Sequence, residues 1–183
     1  MSPIYRARDD APGELARLAS DGLLRPVVGD VYVSPDTPDL PELRATALLL
    51  LLPVPLQDRE PVIALEAAVW LETGGSAPDP VDVYVAVHGG RRNCPGLRIH
   101  EIRVDPRDVE LIGGLRVTGP ARTAADLCRT RPADQALDHL DRLCAETGLT
   151  PAAVSAVLGR LPRHPGVAGA REVVGRWAAR HSR

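Results

Sequence analysis

GGLRVTGPARTAADL, residues 113–127, is the stretch that decides how this chain folds. Its leading glycines predict a tight turn, the next residues predict a short strand, and Gly119-Pro120 breaks that strand before a helix begins. Thr118 and Thr123 lie where their hydroxyls can brace the start of the helix. The stretch has no nucleophile paired with a base, no metal-ligand spacing and no phosphate-binding glycine loop. We therefore expect a strand-to-helix corner that serves as scaffold.

Arg122 and Asp126 form an i, i+4 pair in the helical part of this corner. Such a pair contributes only about 0.2–0.5 kcal/mol when it is exposed. Ala124, Leu127 and Cys128 have the spacing of residues that face a core. A guanidinium near a helix N-terminus can also bind a phosphate or a partner, so Arg122 is a candidate contact residue as well as a structural one.

Helical patterns continue from the corner to the end of the chain. We predict helices over 121–130, 132–147, 150–160 and 166–181. Pro132 and Pro151 each lie at a predicted helix start. The segment 160–183 carries six arginines against one glutamate. Arg176 and Arg180 are its candidates for contact with nucleic acid or a protein partner, although the charged outer face of a terminal helix explains the pattern equally well.

Two alternating apolar segments precede the corner and predict strands. They are VDVYVAV at 81–87 and LRIHEIRV at 97–104. HGGRRNCPG between them predicts the tip of a hairpin, where Arg91 and Arg92 can contact nucleic-acid phosphates. The histidines, cysteine and carboxylates of this region do not have metal-site spacing, so we expect no metal site.

Two helices are predicted before these strands. The first covers 40–52, is apolar on nearly every face after its first turn, and has Asp39 as its N-cap. The second runs from Pro61 to Gly74-Gly75, and PLQDRE between the two helices is a predicted loop. The leucine run of the first helix is far shorter than the roughly 20 residues that a membrane span needs, so we expect no membrane segment.

The sequence pattern of residues 1–38 predicts a small separate unit. APGELARLASDGLL predicts a short helix, and LLRPVVGDVYVSP predicts a hairpin that turns at Gly29-Asp30. A helix followed by a hairpin is the second half of a winged helix, and the residues before Pro12 leave room for one further helix at most. The unit is therefore truncated or degenerate. Its candidate DNA-contacting residues are Arg6, Arg8, Arg17 and Arg25. Several acidic residues lie between these arginines in the sequence.

The composition limits the chemistry of the chain. Its 183 residues carry a formal charge of −2, so binding of nucleic acid needs a local basic patch. All 22 basic residues are arginines, and the lack of lysine excludes Schiff-base catalysis, a standard phosphate-binding loop and a lysine-dependent nuclease core. Three widely spaced cysteines argue against a disulfide framework. We expect no catalytic residue, no cofactor and no metal.

Together these elements predict an α+β fold. A short degenerate N-terminal winged-helix-like unit is followed by a small mainly antiparallel sheet, which is packed by helices and has a helical C-terminal part. We place a domain boundary at residue 38, so that the first domain covers 1–38 and the second, an α/β domain with a helical C-terminus, covers 39–183.

The chain resembles the AbiEi-type antitoxin family of bacterial type IV toxin–antitoxin systems. GDVY in the predicted hairpin and TGPARTAADL in the corner carry most of the resemblance, which covers about residues 13–160. It implies a winged helix that binds promoter DNA and a C-terminal domain that neutralises a nucleotidyltransferase-like toxin. Longer relatives carry a restriction-like endonuclease domain after the helical region, and this chain ends at Arg183, before such a domain would fit.

Three functions are compatible with these features. The first is an antitoxin-like transcriptional regulator, a non-enzymatic autorepressor that binds promoter DNA and counteracts the toxin. The second is a purely protein-binding antitoxin, or an orphan interaction protein, with a vestigial DNA unit. The third is a remnant of a restriction-like endonuclease family protein without its nuclease domain. We expect the first of these functions. We also expect the protein to be cytoplasmic, because the N-terminus lacks a signal-peptide pattern.

Overall fold

The structure, a computed structural model, describes residues 4–6, 13–86, 94–161 and 164–181. Within these ranges the chain has the α+β fold that the sequence predicts, with two sheets and a helical C-terminal part. Among the described residues, both strand pairings of the N-terminal sheet are antiparallel, whereas the second sheet is mixed, with two antiparallel and two parallel pairings.

Sheet A lies near the N-terminus of the chain. Its strands are β1 (Ile4–Arg6), β2 (Arg25–Val28) and β3 (Val31–Val33), all antiparallel in the order β1-β3-β2. The helix α1 (Glu14–Ser20) precedes β2, and Gly29, whose φ is 54°, permits the tight turn between β2 and β3. The predicted helix and hairpin are confirmed. The strand β1 was not predicted, because three residues carry too little alternation to indicate a strand.

The helix α2 packs against sheet A. It spans Pro41–Leu51, close to its prediction, and contacts β2 and β3. Leu40 rather than Asp39 is its N-cap residue, so the predicted cap is wrong. The carboxylate of Asp39 instead accepts a hydrogen bond from Nε of Arg44 at 2.8 Å. A short helix, α3 (Val54–Gln57), follows where a loop was predicted.

The single helix predicted from Pro61 to Gly75 is wrong. This segment forms a strand, β4 (Val62–Ile63), and then a helix, α4 (Glu66–Thr73). Leu65 lies between them with a positive φ of 55°, which no helix accommodates. Because β4 is the central strand of sheet B, its conformation depends on strands that lie elsewhere in the sequence.

Sheet B has five strands. They are β4, β5 (Val81–Val85), β6 (Leu97–Glu101), β7 (Val109–Ile112) and β8 (Leu115–Thr118), in the order β6-β5-β4-β8-β7. The pairs β4–β5 and β7–β8 are antiparallel, whereas β5–β6 and β4–β8 are parallel. The strands predicted for this region are confirmed. The hairpin predicted between β5 and β6 is wrong, because a hairpin cannot join two parallel strands.

Four helices follow the corner. They are α5 (Pro120–Thr130), α6 (Ala133–Thr147), α7 (Pro151–Arg160) and α8 (Val167–His181), each within one residue of its prediction at both ends. The helix α5 packs against all three of the others. Among the described residues, no helix has both the length and the apolar character that crossing a membrane requires.

Alternate residues of sheet B face two separate cores. Val62 and Tyr84 pack with the C-terminal helices, in a core that contains the fully buried Trp177. Ile63 and Val83 face the other side, where they pack with α2 and the valines of sheet A. Successive side chains of a strand point to opposite faces, so sheet B is a central layer that is covered on both faces.

Candidate functional site

Arg17 is the basic residue that α1 presents to solvent. Leu15 anchors the helix by a buried side chain, whereas the side chain of Arg17 is 70% exposed. Its guanidinium lies 4.0 Å from the carboxylate of Asp21, one helical turn further on. An exposed ion pair of this kind contributes about 0–1 kcal/mol. Arg17 therefore remains available to an external phosphate.

Arg6 and Arg25 lie on the inner face of sheet A. The register places Arg6 opposite Val31 and Arg25 opposite Val33, and both valines are fully buried. Residues that face each other on neighbouring strands project from the same side of the sheet. Neither arginine therefore projects from the outer face, although the sequence made both candidates for contact with DNA.

Both inner arginines have partners within the chain. Nε of Arg6 lies 3.8 Å from the carboxylate of Asp30, and the Arg6 side chain is only 18% exposed. Nη2 of Arg25 donates a hydrogen bond to the carbonyl of Thr37 at 3.0 Å. The fourth candidate of this unit, Arg8, lies outside the described residues. Of the three candidates of this unit that the structure describes, the arginine of α1 alone is directed to solvent.

Arg122 lies inside the molecule, at the corner between β8 and α5. Its side chain is 3% exposed, and its Nε donates to Asp126 at 2.7 Å while its Nη1 lies 3.4 Å from Asp108. Asp126 also accepts from Arg129 at 2.7 Å, and Asp108 also pairs with Arg160. The i, i+4 pair is therefore part of a network of five charged groups, in which Arg122 and its two aspartates are buried. The two aspartates already neutralise this guanidinium, which disfavours the external phosphate that the sequence allowed here.

The two threonines of the corner brace the start of α5, as predicted. Their hydroxyl oxygens lie 2.7 Å apart, and the hydroxyl of Thr123 also lies 2.8 Å from the carbonyl oxygen of Thr118. Gly119 is the N-cap residue, so no side chain caps this helix. These local hydrogen bonds stabilise the corner in addition to its packing.

A second charged group connects α4, sheet B and the end of α5. The carboxylate of Glu66 accepts two hydrogen bonds from Arg131, of which the one from Nη2 is 2.8 Å long. The same Nη2 lies 3.5 Å from the carboxylate of Asp82, whose other oxygen lies 2.6 Å from Nε2 of His100. The sequence analysis missed this group. The signal was Asp82, a charged residue in the middle of an apolar strand.

Burial and ion pairing oppose each other at Glu66. Burial raises the pKa of its carboxyl, but the hydrogen bonds and the charge of Arg131 outweigh that effect, so the pKa lies below its ordinary value. The hydrogen bond to Glu66 is the main reason that the pKa of the Arg131 guanidinium is raised. Both groups are therefore charged at neutral pH, as an ion pair requires.

Reactive side chains are not brought together in the described ranges. Burial raises the pKa of the Cys128 thiol to about 12, so the thiol is protonated at neutral pH and is a poor nucleophile. The imidazole of His100 is held by Asp82, as a general base often is. No described hydroxyl or thiol is hydrogen-bonded to that imidazole, and no described group of three or more potential ligands could hold a metal ion.

A cleft of about 250 Å³ lies at the N-terminal end of α5. Arg107, Asp108, Glu110 and Thr150 are among the residues that line it. The carboxylate of Glu110 is close to the start of the helix, because a Cβ on Gly119 would lie 2.7 Å from its Oε1. The positive end of the helix dipole therefore already faces a carboxylate of the chain itself, which disfavours a bound anion.

The remaining candidates lie in two further places. Arg176 and Arg180 are exposed on α8. Arg91 and Arg92 lie outside the described residues, so that their interpretation as nucleic-acid contacts stays a prediction. The described candidates are thus divided between α1, the inner face of sheet A, the buried corner and α8.

Comparisons with known proteins add a distant structural likeness. No family model and no curated protein matches the chain. The crystal structure of the RV2827C protein from Mycobacterium tuberculosis is similar with a TM-score of 0.48 and 14% sequence identity. The similar region covers 96% of this chain and 71% of that one.

Proposed function

We propose that the chain is an antitoxin-like transcriptional regulator that acts in the cytoplasm without catalysing a reaction. It binds promoter DNA through α1 and the β2–β3 hairpin, and it counteracts a nucleotidyltransferase-like toxin. The observation that carries the DNA-binding part is the exposed Arg17 on a helix that leads directly into a hairpin. Winged and related helix-turn-helix proteins place such a helix in the major groove.

The dimensions of α1 are compatible with this role. Its seven residues make a helix about 10 Å long, and the major groove is about 12 Å wide. Leu15 fixes one side of the helix to the chain, so that the side that bears Arg17 can approach the DNA. The helix is short, and we therefore expect phosphate contacts to contribute most of its affinity.

The toxin-binding part of the proposal has a different support. It depends on the resemblance of the TGPARTAADL corner and its surroundings to the antitoxin family. The buried network around Arg122 supports the corner as a rigid scaffold, and a scaffold is what a protein that acts by binding needs. The proposal therefore assigns no catalytic residue to this region.

One observation favours a second candidate, a protein-binding antitoxin with a vestigial DNA unit. Arg6 and Arg25 are turned to the inner face of sheet A and have partners there. Asp21 lies beside the exposed arginine of α1, and its negative charge repels phosphate. A DNA-binding unit whose described residues direct a single arginine to solvent would bind weakly, and loss of DNA binding would not prevent binding of a protein.

The experiment compares binding of the protein to its own upstream DNA and to a scrambled duplex across a salt series. We expect specific binding that weakens with salt. The variant Arg17→Ala should lower the slope of log affinity against log salt by about 0.9, the effect of one phosphate contact. The matched control is Arg103→Ala, which removes an exposed arginine far from α1 in sequence.

The choice of residue matters for this test. Replacement of Arg25 would also remove the hydrogen bond to the carbonyl of Thr37, so a loss of binding could reflect a loosened hairpin. Replacement of Arg17 removes only a weak exposed pair. If the wild-type protein binds neither duplex at low salt, or if Arg17→Ala and Arg103→Ala behave alike, the DNA-binding proposal fails and the second candidate takes its place.

A further inference from the structure

The helix α8 has one buried and one basic side. Its buried residues are Val167, Ala170, Val173, Val174 and Trp177. Three arginines are exposed around the rest of the helix: Arg171, Arg176 and Arg180. We call this exposed surface the arginine face of α8. It also carries Glu172, so its formal charge is +2 in a chain whose total is −2.

The arginines of this face lack the partners that other arginines have. Within the described residues, none of the three forms an ion pair or a side-chain hydrogen bond. Elsewhere the chain pairs its arginines extensively, as Arg122 with Asp126 and Arg131 with Glu66 show. An unpaired cluster of like charges repels itself. Its charge is complementary to a polyanion, which would relieve that repulsion.

The chemistry of the face favours phosphates over a protein surface. All large apolar side chains of α8 are buried, and the exposed positions between the arginines are occupied by small residues, namely Ala168, Gly175 and Ala179. Protein interfaces obtain most of their energy from a few anchors, chiefly Trp, Tyr and Arg in well-packed pockets, and the exposed positions beside these arginines offer no Trp, Tyr or large apolar residue. Arginines bind phosphate oxygens through bidentate hydrogen bonds and need no apolar anchor.

The geometry suits a nucleic-acid strand. The rise of an α-helix places the three arginines about 7.5 and 6 Å apart along the axis of α8. Two nucleotide steps of a DNA strand advance by about 6.8 Å. Arg171 lies about 140° around the helix from Arg176 and about 180° from Arg180, so the arginines flank the small residues on two sides. Double-stranded DNA that lies against the small residues can therefore be contacted through phosphates on either side of the helix.

We propose that the arginine face of α8 binds the phosphate backbone of double-stranded DNA without regard to sequence. It is a second surface, separate from α1, since α8 packs against α5, α6 and α7 while α1 belongs to the unit of sheet A. The inference rests on the proposed function only in the choice of DNA as the polyanion. Contacts of this type position a protein on DNA and add affinity, but they do not select a sequence.

The test measures binding of a fluorescent duplex of unrelated sequence by anisotropy at several salt concentrations. The triple variant Arg171→Ala, Arg176→Ala, Arg180→Ala should lower the slope of log affinity against log salt by about 2.7, the sum of three phosphate contacts. Between about 50 and 200 mM salt, the wild-type protein would then lose about fortyfold more affinity than the variant. Thermal unfolding of both proteins controls for folding, because Arg180 also lies in the last turn of α8, where a cation stabilises the helix.

Two further variants distinguish a binding surface from a general effect of charge. A control triple, Arg59→Ala, Arg103→Ala, Arg107→Ala, removes the same charge from other exposed positions. We expect it to leave the slope nearly unchanged. The variant Glu172→Gln removes the one acid of the face, and we expect it to tighten binding roughly twofold. A structural role for the face would not produce such a gain.

The outcomes separate this proposal from the proposed function. An unchanged slope in the α8 triple variant, or an equal fall in the control triple, would overturn the α8 proposal even if Arg17 is needed for promoter preference. A flattened slope in the α8 variant would support it even if the protein does not prefer its own upstream DNA. If the α8 triple variant no longer bound a protein partner but bound the unrelated duplex as the wild-type protein does, that result would also count against the α8 proposal.

Discussion

Arg122 connects three parts of the chain that are far apart in sequence. It pairs with Asp126 in its own helix and with Asp108 just before β7, and Asp108 in turn pairs with Arg160 at the end of α7. A hydrogen bond to a charged group contributes about 1.5–3 kcal/mol. This guanidinium therefore stabilises the corner between β8 and α5, together with the hydroxyls of Thr118 and Thr123.

The first prediction at the scale of residues compares two i, i+4 pairs. We expect Arg122→Met to lower the free energy of unfolding by about 3 kcal/mol, because the buried carboxylates of Asp126 and Asp108 each lose one of their two arginine partners. We expect Arg17→Met to change it by less than about 0.5 kcal/mol, because the pair with Asp21 is exposed. Urea unfolding of both variants measures the difference. Equal losses would show that burial does not set the strength of these pairs.

The spacing of Arg122 and Asp126 was enough to predict the pair but not its burial. The burial of this pair depends on contacts with Asp108 and Arg160. These two residues lie 14 residues before and 38 residues after Arg122 in the sequence. Only the folded chain brings these residues together. Asp82 shows the same limit, because its partners come from β6 and from the residue after α5.

At the scale of elements, the segment that begins at Pro61 shows how pairing overrides local pattern. A proline followed by apolar residues is typical of a helix start, and the segment from Glu66 onward is indeed helical. Val62 and Ile63 instead pair with β5, and Ile63 also pairs with Val117 of β8. The four C-terminal helices were predictable because their periodicity is long and because three of them have proline at the start. A two-residue strand has no such local signal.

The pair between Glu66 and Arg131 joins the start of α4 to the end of α5, and it predicts a dependence of stability on pH. The pKa of Glu66 is lowered in the folded chain from an ordinary value of 4.5. The ion pair therefore stabilises the fold fully above pH 4.5, and this contribution is lost as the pH falls through the lower folded-state pKa. We expect wild-type protein to lose more stability on acidification than the variant Glu66→Gln.

The measurement is the free energy of unfolding in urea at several pH values from about 7 down to about 3, the range over which a lowered carboxyl pKa acts. Asp105, whose pKa is lowered chiefly by a hydrogen bond from the backbone N–H of Arg107, contributes in the same range. It is present in both proteins, so the difference between them isolates Glu66. Glutamine keeps the shape and one acceptor of the side chain. If the free energy of unfolding fell equally with pH in the two proteins, the predicted role of the pair would be contradicted.

At the scale of the whole molecule, the core that begins in sheet A continues into sheet B. Val31 and Val33 are fully buried in the same cluster as Leu48 of α2 and Ile63 of β4. The turn of the hairpin also packs closely on α2, since a Cβ on Gly29 would lie 2.9 Å from Cδ1 of Leu51. Sequence patterns predicted a boundary at residue 38 because a loop rich in proline and aspartate lies there. They carry no information on whether apolar surfaces meet across such a loop.

This shared core yields the last prediction, which concerns the fragment 39–183. Burial of one valine side chain contributes about 1.5–3 kcal/mol, and Val27, Val28, Val31 and Val33 are all buried. We therefore expect the fragment to be less stable than the full chain by at least about 3 kcal/mol, and to bind a hydrophobic dye where the face of α2 is uncovered. Two-state unfolding in urea, followed by circular dichroism, compares the two proteins.

The full-length variant Val31→Ala supplies the control, since it weakens the shared core without removing any segment. If the core is continuous, this variant should unfold in one transition, shifted by about 2 kcal/mol for the lost methyl groups. If residues 1–38 are instead an independent domain, the variant should show two transitions, and the fragment should be as stable as the corresponding part of the full chain. The first result would mean that a DNA-binding α1 is held by the same core that supports the corner at Arg122. Binding at the N-terminal unit and the stability of the rest of the chain would then be linked through that core.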